Sequence, residues 1–99
     1  MTATVAVVGA GWAGLAAAVT LVRGGTRVVL HEMAPAAGGR ARRIGRHGDG
    51  LDNGQHIAIG AYRATLELLE TVGVDPRSVF LRTPLALVDL SGEGLVLGG

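Results

Sequence analysis

Thr4-Val5-Ala6-Val7-Val8-Gly9-Ala10-Gly11-Trp12-Ala13-Gly14 decides the fold. Its first five residues form an apolar, largely β-branched run that stops at Gly9, the pattern of a strand buried on both faces of a parallel sheet. From Trp12 to Val22 the residues WAGLAAAVTLV favour helix. Gly24 and Gly25 stop it after Arg23, a cation suited to a helix C-terminus. Arg27 to His31 (RVVLH) is a second short apolar strand. Strand, helix and strand in this order make a βαβ unit with a right-handed crossover.

Beyond that unit the pattern changes. Met33 to Gly50 is rich in Ala, Gly and Arg without a sustained period, and reads as a loop followed by an irregular hairpin turning at His47-Gly48-Asp49-Gly50. Ala61 to Val72 is an amphipathic helix with Tyr62, Leu66 and Leu69 on its core stripe; Arg63, Glu67 and Glu70 lie elsewhere, and Gly73 follows as the closing residue. Pro76 forbids continuation. Phe80 to Leu97 reads as short antiparallel strands with a tight turn at Ser91-Gly92-Glu93-Gly94. The fold class is therefore α/β: a Rossmann-like βαβ unit, then an irregular hairpin, an amphipathic helix and short antiparallel strands. Two parallel strands cannot cover both of their own faces, so residues 1–99 are expected to be the amino-terminal part of a larger domain.

Composition narrows the chemistry. With 48% apolar and 17% charged residues the chain is not disordered, and its 17 glycines with only 3 prolines show no collagen-like period. There is no cysteine, which removes disulfides, thiol nucleophiles and Cys-ligated zinc; no metal site is expected. All nine basic residues are arginine, so a lysine base or Schiff base is excluded, and the net charge of +1 conceals planar, phosphate-matching cations. That charge, with only three aromatic residues, also argues against a nucleic-acid surface. The uncharged stretch from Thr2 to Val22 has the length of a membrane span, but no basic residue precedes it and glycines crowd its middle.

Gly9-Ala10-Gly11-Trp12-Ala13-Gly14 is G-x-G-x-x-G directly after a strand and opening a helix, the context that gives the motif its meaning. Gly9 permits the tight turn, Gly11 lets a pyrophosphate approach the backbone, and Gly14 lets the helix pack closely on the strand. Free N–H groups at the helix start would face the phosphates. Glu32 ends the second strand where a carboxylate would meet a ribose hydroxyl, and it would repel the 2′-phosphate of NADP, with no arginine adjacent to receive one. Arg40, Arg42, Arg43 and Arg46 cluster after Gly38 and Gly39; the glycine pair lets the backbone at Arg40 bend towards the same pyrophosphate.

The runs VAVVGAGWAGLAAA, HEMAPAAGGRAR and LDNGQHIAIGAYRATLELLETVGVD resemble the amino-terminal region of FAD-dependent amine-oxidase and phytoene-desaturase-like flavoproteins. Most closely they resemble the squalene-associated, desaturase-like branch, the hydroxysqualene dehydroxylases. Gly38-Gly39-Arg40 is typical of the flavin superfamily, while Asp52-Asn53-Gly54-Gln55-His56-Ile57 and Gly60-Ala61-Tyr62-Arg63 carry the likeness to the branch. The resemblance implies an FAD-binding domain in which Gly9, Gly11 and Gly14 cradle the pyrophosphate, Glu32 binds the adenosine ribose, and Gly39 and Arg40 reach the phosphates or ribityl chain. Gly54, Gln55 and His56 would lie near the isoalloxazine. His31 departs from the apolar or aromatic residue expected before the ribose-binding Glu.

The resemblance further implies a polyisoprenoid lipid substrate in squalene and hopanoid biosynthesis. It also implies a cytoplasmic enzyme touching the membrane only peripherally, through parts outside this chain. No catalytic residue is assigned: His56 reads as a hydrogen-bonded structural residue and Asp52 as a local backbone acceptor. Three alternatives stay open. One is a carotenoid-type desaturase or amine-oxidase-like flavoenzyme, the second is a nicotinamide-dependent dehydrogenase, and the third is a truncated product that binds nothing well.

Overall fold

The computed structural model describes residues 3–44, 50–54 and 56–97. The chain divides into two compact units, Met1–Ile59 and Gly60–Gly99. In the first, strands β1 (Thr4–Val8) and β2 (Arg27–His31) pair in parallel, Thr4 opposite Arg27 and Val8 opposite His31. Helix α1 (Trp12–Arg23) connects them and packs on both. Val5, Val7 and Val28 are half-buried, whereas Thr4, Ala6 and Val8 are exposed. A single crossover helix covers one face, and β1 shows the alternation of a half-covered strand, as two parallel strands that cannot cover both of their own faces require.

Helix α1 ends as its sequence demands. Gly25 takes a φ of +82°, and its N–H donates to the Val22 carbonyl at 2.9 Å, closing the last turn. After β2 the chain bends through a short 3-10 turn at Gly39–Ala41 and then forms the antiparallel pair β3 (Arg43–Ile44) and β4 (Leu51–Asp52). This is the irregular hairpin expected from composition; Arg46 and the turn residues His47, Gly48 and Asp49 lie outside the described residues.

The second unit opens with helix α2 (Arg63–Thr71), shorter at both ends than the periodicity of Ala61 to Val72 implied. Tyr62 sits at the N-cap position, is 51% exposed, and so is not core. A residue at a helix cap lies outside the inward stripe, which Leu66, Leu68 and Leu69 form instead. Pro76 ends nothing by itself; it begins helix α3 (Pro76–Val79), with Asp75 as N-cap accepting from the Arg77 N–H at 2.9 Å. Strands β5 (Leu85–Val88) and β6 (Gly94–Leu97) pair antiparallel as expected. Among the described residues, Ala10 is the one buried apolar residue, and no helix is long and apolar enough to cross a membrane.

Candidate functional site

The turn after β1 is fixed from both sides. Gly9 adopts a φ of +96°, open to glycine at little cost, and its N–H donates to the His31 carbonyl at 2.7 Å, tying the turn to the end of β2. A Cβ on Gly14 would collide with the Gly9 carbonyl oxygen, so α1 crosses the strand end at a distance only glycine permits. The side of Gly11, by contrast, faces open space. Gly11 is the N-cap of α1 and supplies no capping side chain. Its carbonyl accepts first from the Leu15 N–H at 2.9 Å, which leaves the N–H groups of Trp12, Ala13 and Gly14 without intrahelical acceptors. Three donors and the positive end of the helix dipole therefore meet at an uncrowded backbone.

Ala10, 1% exposed, joins three segments at this point. Its carbonyl accepts from the Gly38 N–H at 2.8 Å, and its own N–H donates to Glu32 Oε2 at 2.7 Å. Glu32 Oε1 accepts from the Ala34 N–H, also at 2.7 Å. These backbone donors, Ala34 first and then Ala10, with the Met33 N–H and the Arg42 charge, hold the Glu32 carboxyl below the usual carboxylate range despite partial desolvation. Arg42 is thus in electrostatic reach of Glu32, although the sequence placed no arginine beside it. Gly39 brings its Cα side against Gly11, where an added Cβ would stand 3.3 Å from the Gly11 Cα, so the Gly38-Gly39-Arg40 bend seats directly on the glycine-rich turn.

Between these segments lies a cleft of about 870 Å³ lined by Gly9, Gly11, Trp12, Gly14, Gly38, Gly39, Arg40, Asn53 and His56, among others. The volume suits a cofactor-sized ligand. Of the residues singled out from sequence, Gly9, Gly11, Gly14, Gly39, Arg40 and His56 come together here. Glu32 faces the backbone of the turn rather than the cleft lining, Gly54 donates to the Asp52 carbonyl at 2.8 Å beside the lining residue Asn53, and Gln55 lies outside the described residues. His56 lines the cleft.

Sequence reasoning missed Ala10 and Asn53. Asn53 is held by its N–H to the Arg42 carbonyl at 2.9 Å, and its place inside the Asp52-to-His56 motif was the available signal. The donor set fits a dinucleotide: an uncapped helix start, two glycines whose replacement would fill the approach, and a guanidinium on the same cleft.

A family model of NAD(P)-binding Rossmann-like domains matches residues 7–72. The chain belongs to this family. Domains of this family take a dinucleotide cofactor. Among curated relatives, the chain is similar to hydroxysqualene dehydroxylase of Rhodopseudomonas palustris, 43% identical over 77 residues, which is 76% of this chain and 18% of that protein. The hydroxysqualene dehydroxylase of Zymomonas mobilis is 37% identical over 73 residues, 72% of this chain and 18% of the relative. The zeta-carotene desaturase of Zea mays is 38% identical over 72 residues, 72% of this chain and 13% of the relative. The chain therefore spans less than a fifth of the length of the curated relatives it matches. No solved structure matches it.

Proposed function

We propose that residues 1–99 form the amino-terminal part of an FAD-binding domain in a flavin-dependent oxidoreductase that converts hydroxysqualene to squalene. The observation that carries the cofactor assignment is the seating of Gly38-Gly39-Arg40 on the glycine-rich turn, where both segments line one cleft. A guanidinium there supplies a second phosphate ligand beyond the helix start. In this reading Gly9, Gly11 and Gly14 hold the pyrophosphate, Glu32 accepts from the adenosine ribose, and Gly39 and Arg40 contact the phosphates or ribityl chain. Gly54, Gln55 and His56 lie towards the flavin ring.

The reaction assignment rests on the names of the dehydroxylase relatives. When bound, reduced FAD would supply the hydride equivalent that replaces the hydroxyl, the hydroxyl leaving as water with one proton. The chain's own contribution is binding and orientation, and the substrate is a polyisoprenoid lipid met by a cytoplasmic, peripherally membrane-associated enzyme through parts outside these 99 residues.

The zeta-carotene desaturase relatives support a second reading, in which the flavin takes electrons from the substrate instead of giving them. Anaerobic incubation of the full-length protein with pre-reduced FAD separates the two: conversion of hydroxysqualene to squalene is expected. In a parallel anaerobic incubation with oxidised FAD, flavin reduction by a less unsaturated polyene, with no dehydroxylation in the pre-reduced sample, would sink the first reading. Recovery of a nicotinamide dinucleotide rather than FAD from the purified protein would overturn both.

A further inference from the structure

Two of the residues that shape the phosphate-binding turn are glycines, which hold no conformation by themselves. Yet the residue between them, Ala10, is 1% exposed and bonded at both ends of its backbone, to Gly38 through its carbonyl and to Glu32 through its N–H. We infer that Glu32 is a positioning residue that braces the glycine-rich turn against the segment after β2 before any dinucleotide is bound. Its two oxygens divide the work: Oε2 takes the Ala10 N–H and Oε1 the Ala34 N–H, each at 2.7 Å.

The bridge joins the turn after β1 to the loop that carries the chain on to Gly38, whose N–H bonds the carbonyl of the same residue, Ala10. Removing the carboxylate would leave the N–H of a buried residue without its acceptor and free a turn that has no side chains to restrain it. A carboxylate offers about four lone-pair sites, so accepting two N–H groups leaves room for a ribose hydroxyl. The brace therefore goes beyond the proposed ribose contact and does not depend on which dinucleotide binds. The depressed carboxyl of Glu32 accords with it, Arg42 being the charged side chain that acts on it.

The test uses the cofactor-free protein. In Glu32→Gln the side chain keeps one acceptor oxygen and presents a donor in place of the other, so amide exchange at Ala10, at Ala34 or at both is expected to quicken about tenfold or more, while the β1–β2 ladder amides keep their protection. Exchange unchanged at both positions overturns the brace. In the wild type, the folded carboxyl sits below its ordinary range, so both bonds are complete above that range and are lost as pH falls through the lowered value. The Ala10 and Ala34 amide shifts should follow that one transition; failure of either to follow it overturns the inference even if the variant unfolds. Inorganic pyrophosphate separates the brace from the ribose role. A mere ribose acceptor leaves pyrophosphate binding to Glu32→Gln unchanged or, with a negative charge removed, tighter, whereas loss of the brace weakens it.

Discussion

An alanine side chain at position 14 would set its Cβ into the Gly9 carbonyl oxygen, a backbone atom that cannot swing aside. Gly14→Ala is therefore expected to destabilise the first unit by about 1–3 kcal/mol, the cost of overpacking a tight contact. Gly9→Ala meets no neighbour but must hold a φ of +96°, and strain of about 1–2 kcal/mol follows from that alone. Gly11→Ala is the informative member of the set. Its φ of −77° is ordinary and its side is open, so stability should fall by no more than about 1 kcal/mol while cofactor affinity drops, because the new methyl occupies the approach of the pyrophosphate. Paired thermal melts and FAD titrations of the three variants check this division; a Gly11→Ala protein with full affinity would move the phosphates elsewhere. The turn at Gly9 and the close packing at Gly14 were legible in the spacing of the motif. Ala10 was not, since an alanine between two glycines carries no pattern that announces burial, and the engagement of Glu32 with backbone N–H groups requires two loops to be placed in space.

At the scale of elements, strand and helix periods were legible and their closures less so. β1 and β2 fall where the β-branched runs place them. Helix α3 escaped notice although Asp75 before Pro76 is a helix-start signal, because the proline was read only as a breaker. The hairpin β5–β6 offers a measurable consequence of such local chemistry. Asp89 Oδ1 accepts from the Ser91 hydroxyl at 2.6 Å and from the N–H groups of Ser91 and Glu93 at 2.8 and 3.1 Å, so one carboxylate shapes the whole turn. The Ser91 hydroxyl foremost depresses the Asp89 carboxyl; desolvation opposes it, and the backbone N–H groups of Ser91, Glu93 and Gly92 add to the lowering. A depressed folded value means that the stabilisation is complete above the ordinary aspartate range and is lost as pH falls through the lowered value. Acidification should loosen the β5–β6 amides through that window, and Asp89→Asn should abolish the pH dependence while weakening the hairpin at neutral pH. Hydrogen exchange at Leu87 and Leu95, which face each other across the ladder, measured across the acid range, reads both effects.

For the molecule as a whole the decisive quantity is how little apolar surface is covered. Among the described residues only Ala10 is a buried apolar residue, no large side chain is fully buried, and Val8 stays 85% exposed at the very strand end that carries the site. Ordering a residue costs about 1–2 kcal/mol of backbone entropy, while burial returns about 25 cal/mol per Å² of apolar area, so half-covered strands and a two-stranded hairpin leave little net stability. The pattern of Thr4 to Val8 suggests cover on both faces, whereas α1 supplies it on one, and the alternate residues of β1 stay exposed. Expressed alone, residues 1–99 are therefore expected to be catalytically inactive, to expose unpaired edges of their two-stranded sheets, and to melt without a sharp transition. Far-ultraviolet circular dichroism on a verified monomer without flavin measures this directly. A steep, cooperative melt would show that the unit stands unaided and that the exposed faces of β1 and β2 await no further strands.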